Sequence, residues 1–406
     1  MAKNKIDSYE CRQYFQYSTL TFINQDILDR GRKKQGEIAA ELAKIWYQKA
    51  TELGNESIQD YFCHKLKNMT LDRQLDTQVL GKLRRDYFNA ISNKVQKKEI
   101  FNIFFEDRLL ADDSKERYDV SLEQDKSVEL WLERNGKGYD LHIGGNGGVE
   151  APEDSSYLFY GYGNVKKILF RESFKTENVK DFSAMFGKCE CLEELDISKF
   201  HTNNAQNMRA MFGECRHLEK IDMQNFRTKN VKDFAFMFYN CNNLKELKVD
   251  NFDTSNIDNM RGMFDSCKQL KELDLTNFDT SNVKDMRGTF ARCRQLEKLS
   301  IDNFITDNVV DMHSIFSTCE QLKELNVSNF NTMNVKDMSY MFYNCRQLKK
   351  LDVSNFDIRN VESMRGMFKG CKELYKLNID NFDISNVKDT DSMFAGCEKL
   401  ERLREN

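Results

Sequence analysis

The 406-residue chain holds a single proline, Pro152, so no proline-rich linker or polyproline segment joins its parts. It has no apolar stretch of transmembrane length, and Met1 to Glu10 contain neither an apolar signal core nor a lipobox. A cytoplasmic protein with no membrane partner is therefore expected. Its five histidines, His64, His142, His201, His217 and His313, are scattered, and none stands in H-E-x-x-H or beside a nucleophile motif. This predicts no catalytic residues and no metal site. Neither sign of charge prevails, with 61 Lys+Arg against 65 Asp+Glu, so nothing in the balance selects nucleic acid as a direct partner. The run Gly144-Gly145-Asn146-Gly147-Gly148 opens no helix and is followed by no lysine with adjacent Ser or Thr, so no nucleotide or other cofactor is read from it.

Repetition is what the chain does contain. Nine cysteines, Cys189, Cys215, Cys241, Cys267, Cys293, Cys319, Cys345, Cys371 and Cys397, recur every 26 residues without a slip. A phenylalanine stands three residues before each and a leucine three residues after, while a second phenylalanine column runs from Phe174 to Phe382 and an asparagine column from Asn178 to Asn386. A period this strict marks a solenoid, because stacked identical units place the same residue at the same height in every coil. The alternation of Leu273 and Leu275 predicts a short strand, and the spacing of Met260, Met263 and Phe264 predicts a helical turn. The expected fold is thus an α/β solenoid of nine 26-residue coils with a parallel strand stack, roughly 45 Å long at about 4.8 Å per coil. Cysteines on successive parallel coils point the same way and cannot bridge, and only Cys189 and Cys191 are near in sequence, so the thiols are read as reduced core residues. The asparagines are read as a ladder that bonds the backbone of neighbouring coils.

The stretch Leu270 to Cys293 resembles the BspA-type leucine-rich repeat, a bacterial family. The resemblance covers about residues 126–406. Leu141, Ile143, the glycine run and Ala151-Pro152-Glu153 resemble the start of that family's repeat region, which implies an N-terminal cap over residues 126–172 ahead of a leucine-rich-repeat solenoid over 173–406. The family implies a binding or adhesion module. This chain departs from it in its charged exposed positions, such as Lys268, Lys271, Glu272 and Asp274, and in the long region that precedes the repeats.

That region, residues 1–120, has a helical period and predicts an α-helical domain. Ile38 to Leu53 share one face, a second helix carries Ile58 to Leu66, a third runs from Leu71 to Val95, and a last short helix holds Ile100 to Leu110. Trp46 to Asn55 resembles the centre of a Sel1-type helical repeat, in one copy.

Two solvent faces are candidates for partner binding. On the helical-turn side, Arg209, Arg261, His313 and Arg365 form a row in every second coil, and Asn-Val-Lys-Asp recurs in the other coils, giving an effective period of 52 residues. Either a duplicated two-coil unit or a basic docking row accounts for this. A neighbouring Asp column, with no exposed aromatic residues between, argues against nucleic acid. On the strand side, Glu194, Glu246 and Glu272 precede Lys298, Lys350 and Lys376, an acidic start followed by a basic end. Glu401, Arg402, Arg404 and Glu405 guard the open edge of the last coil, so a monomer is expected.

These observations predict a non-enzymatic protein-binding module, a cytoplasmic scaffold or adaptor, or an inhibitor or regulator that occludes a larger protein. A surface adhesin exported by an unrecognised route and an enzyme with its site in the helical region are the alternatives.

Overall fold

The computed structural model describes residues 94–109, 114–121, 126–171 and 173–400. The chain divides into two compact units, Met1–Lys82 and Leu83–Asn406, and all described residues belong to the second. The helices expected at 38–53 and 57–66, most of the one at 71–95, the Sel1-like phrase and the charged C-terminal residues lie outside the described residues.

The α-helical expectation is overturned where it can be read. Residues 100–106 form a strand, β1 (Ile100–Glu106), in the middle of a six-stranded sheet. A short apolar run carries no periodicity that separates helix from strand, and its Ile and Phe residues suit a pleated surface. A bulge between Ile100 and Asn102 puts Ile100 on the same face as Ile103 and Phe105, and all three are buried. The sheet continues with β2 (Arg117–Asp119), β3 (Val128–Asn135), β4 (Gly138–Gly145), β5 (Val149–Glu150, paired elsewhere), β6 (Lys167–Leu169), β7 (Phe174–Lys175, the partner of β5) and β8 (Glu194–Asp196). Its order is β2-β3-β4-β1-β6-β8. The β3–β4 hairpin is antiparallel, whereas β4, β1, β6 and β8 run parallel and lead into the coils.

The coils repeat a three-residue strand at β9 (Glu272–Asp274), β10 (Lys298–Ser300), β11 (Lys350–Asp352) and β12 (Lys376–Asn378). Among the described residues the run that carries Met260, Met263 and Phe264 and its counterparts in the other coils forms turns and no helix, and the last coil has one 3-10 turn, Ile384–Asn386. The only α-helical residues among those described are 398–400, so the α/β assignment gives way to a solenoid of parallel strands and tight turns. Along the turn side, alternate N–H groups leave the coil. Those of Ala184 and Phe186 reach the carbonyls of Arg209 and Met211 at 2.8 and 2.9 Å, while Met185 and Gly187 bond back three residues to Phe182 and Ala184. Two left-handed residues four apart in each coil, such as Ala184 (φ 50°) and Lys188 (φ 58°), stop a helix from propagating. Linked three-residue turns still send Met208, Met211 and Phe212 inward, which is why their spacing resembles a helix.

The interior is a set of columns. Phe186, Phe212, Phe238 and Phe264 stack at 5.6 to 5.9 Å with ring planes within 11°. Each cysteine Sγ donates to the carbonyl of a phenylalanine one coil earlier, as Cys215 does to Phe186 at 3.2 Å and Cys293 to Phe264 at 3.1 Å. The ladder cysteines are buried and form no disulfide with one another, and burial pushes the thiols of Cys189, Cys241 and Cys345 up to about 12. Asn204, Asn256, Asn282 and Asn334 donate to carbonyls 27 residues back. Buried threonines such as Thr228 and Thr280 donate to carbonyls 25 residues ahead. Polar groups at the coil corners are thereby satisfied between coils.

Candidate functional site

On the strand face, Glu194, Glu246, Glu272, Lys298, Lys350 and Lys376 are all exposed. The intervening leucines point inward, so the pleat turns these charges outward. Glu272 lies directly across from Lys298, and Lys350 across from Lys376. Two open depressions lie on this face. One, of about 410 Å³, is rimmed by Glu194, Asp196, Asp222 and Glu246 with Lys220 and Lys248. The other, of about 820 Å³, holds Lys298, Glu324, Lys350 and the exposed Tyr375, over whose ring the Lys350 amine sits at 5.8 Å.

The turn face is built on a ladder of short polar side chains. Asp181, Asn207, Asp233, Asn259 and Asp285 pair coil to coil as single parallel bridges. Each Oδ1 accepts the N–H two residues on, at 2.7 Å for Asp181 and Asp233, 3.0 Å for Asn207 and 3.1 Å for Asn259 and Asp285. These Asx turns start each turn run and aim the residue that follows outward. Asparagine in alternate coils separates carboxylates that would otherwise stand one coil apart, and Asn207 Nδ2 donates to Asp181 at 3.2 Å. The 52-residue alternation thus has an electrostatic reason. It lapses at Asp285, Asp311 and Asp337. Burial raises the Asp285 carboxyl, but hydrogen bonds from Arg287 outweigh it and hold the group below the ordinary range. Asp311, raised first by burial and then by Asp337, stands above that range although the His313 N–H opposes the shift.

The basic row stands on this ladder. Arg209 reaches Asp233 of the next coil at 3.4 Å, and Arg365 reaches Asp389 at 3.3 Å and Asp391 at 2.7 Å. Arg209 and Arg261, two coils apart, both lie over the ring of Phe236, at 5.0 and 5.7 Å. His313 and Arg365 flank Tyr340 by other contacts, the histidine ring edge-on at 5.8 Å and Arg365 Nε donating to the tyrosine hydroxyl at 3.2 Å. The four residues of the row are therefore gathered in pairs about two aromatic rings. The turn face does carry aromatic residues between its cations. The sequence pattern of a repeat protein hides them, because a phenylalanine among many core phenylalanines reads as one more. Their signal is an aromatic in a column otherwise filled by Gly, Ala or Ser.

Among the described residues, no group of three or more His, Cys, Asp or Glu is placed to hold a metal ion, and no helix is long and apolar enough to cross a membrane. The sequence profile of a family described as Mycoplasma protein of unknown function, DUF285, matches the chain at residues 153–272, 235–347 and 294–405. The three matches overlap and together take in the coil stack and the last 20 residues of the segment before it, from residue 153. No curated protein matches the chain.

Proposed function

The chain belongs to the DUF285 family, and on that premise we propose that it is a non-enzymatic protein-binding module, a cytoplasmic scaffold or a regulator that occludes a larger protein. One observation carries this reading: the coil register sets exposed charges in straight rows over open depressions. A long, patterned, solvent-exposed face complements an extended macromolecular surface, with charge setting register and association rate. The resemblance to BspA-type repeats supports a binding task.

The test uses the full chain, captured from an extract of its own cells and compared with E246K/E272K/K298E/K350E. The wild type is expected to retain a protein that rebinds after both are purified, and the charge-reversed variant to lose it. No retained protein, or one that binds both forms equally, would remove the strand face as the binding surface. Cell fractionation checks the cytoplasmic part of the reading.

A further inference from the structure

Three bulky aromatic residues of the turn face, Tyr157, Phe236 and Tyr340, occupy the left-handed backbone region at φ 59°, 61° and 57°. A side chain with a Cβ is disfavoured there, and a bulky one is an outlier. Small residues fill the same column in the other coils, as at Ala210, Gly288 and Ser314. The coil itself therefore has no need of an aromatic at this point, and strain kept without a folding role is a mark of function. The neighbouring coils make room. Gly262 and Gly366 lie against the rings of Phe236 and Tyr340, where a Cβ would come within 2.7 and 2.8 Å.

Each aromatic meets a second ring three residues on, edge to face: Tyr157 with Tyr160 at 5.2 Å, and Phe236 with Tyr239 and Tyr340 with Tyr343 at 5.7 Å. Cations attend every pair. Lys188 sits 5.8 Å from the Tyr160 ring, and Arg209, Arg261 and Arg365 stand as described. The Tyr157 N–H bonds to the Ser183 carbonyl as that of Ala184 bonds to Arg209, which fixes all three clusters in one column. They lie three and then four coils apart, about 14 and 19 Å at 4.8 Å per coil.

We propose that this row of aromatic and cationic clusters docks an acidic protein segment running along the coil axis. The proposal rests on the protein-binding reading above and names the partner's chemistry. Arg209 and Arg365 already meet Asp233, Asp389 and Asp391, whereas Arg261 is in no ion pair among the described residues, so an incoming carboxylate is taken by Arg261 and exchanges with those aspartates at the other two, its apolar neighbours resting on the half-buried rings. A nucleic acid would need open ring faces for its bases. Here Arg209 and Arg261 lie over the Phe236 ring and Lys188 over that of Tyr160, and at all three clusters the edge-to-face pairing covers more of the ring surface.

The probe is a fluorescein-labelled 30-residue peptide of repeating glutamate, aspartate and leucine, read by anisotropy against the full chain at low salt. Its controls are the glutamine and asparagine counterpart and a 20-nucleotide oligothymidylate. F236G/Y340G installs the residue that other coils carry, so its melting temperature should stay within a few degrees of wild type. R261E/R365E is the second variant. Wild type is expected to bind the acidic peptide and not the neutral one, and both variants to bind it at least 10-fold more weakly. Wild type that ignores the acidic peptide, variants that bind it as tightly, or an oligonucleotide that binds more tightly would overturn the proposal. If these variants still bind the peptide while strand-face charge reversal abolishes capture of the cellular partner, the row fails and the protein-binding reading stands.

Discussion

Asp265 lies nearly out of water, with Arg292 at 2.5 Å and the Ser266 hydroxyl at 2.9 Å. Burial outweighs the arginine and pushes its carboxyl up from 3.8 to about 6. A carboxyl whose folded pKa is raised binds its proton more tightly in the folded chain. Its contribution to stability is full below about pH 4 and is lost as the pH rises through 6. Asp265→Asn is therefore expected to melt higher than wild type at pH 8, by about 2 kcal/mol of stability, and close to wild type at pH 4. Thermal melts across that range check it, and a gap independent of pH would remove the carboxyl as its cause. Single residues were unevenly legible in the sequence. Arg209, Arg261, His313 and Arg365 were visible as an outward row. That each pair closes on Phe236 or Tyr340 depends on backbone conformation at those two positions, which residue type does not announce.

The Asx ladder makes a prediction for the coil as an element. Asn207→Asp keeps the turn, since either side chain accepts the Arg209 N–H, but it sets three carboxylates on successive coils from residue 181 to 233. The expected loss is about 1 kcal/mol at low salt, seen as a melting point a few degrees lower and partly restored in 1 M NaCl. The first sheet makes another. Because β1 lies between β4 and β6, a chain that begins at residue 83 should keep its cooperative melt, whereas one that begins at 107 leaves two strand edges unpaired and should melt several degrees lower. Circular dichroism melts with limited proteolysis distinguish the two, and equal melting would show β1 to be dispensable. Elements were the least legible scale. The strand at Leu273 followed from period 2, but the turn run shares its inward spacing with a helix, and β1 is too short and too uniformly apolar for period to decide.

For the whole molecule, a stack in which each coil touches only its neighbours opens from its ends. The cysteine ladder reports this directly, one thiol per coil. Among the described cysteines, treatment of the native chain with a maleimide, followed by mass spectrometry of its peptides, should label the half-buried Cys191 first, then Cys397 and Cys371, and Cys267 and Cys293 last. Uniform labelling along the ladder would mean that the stack opens as one unit. The stacked architecture was the most legible part of the chain, since a strict 26-residue period leaves few other folds, and the free thiols fit it by geometry.

The fixed coil height has an evolutionary consequence. Gain or loss of a whole repeat between the Arg261 and His313 coils moves the two clusters apart or together by one coil, about 5 Å, and leaves the contacts within each cluster unchanged. Unequal recombination among near-identical repeats changes copy number in such units. Under the docking proposal, a chain with one repeat more or fewer would hold its two clusters one coil farther apart or closer, and so would fit a partner of different length with neither cluster redesigned.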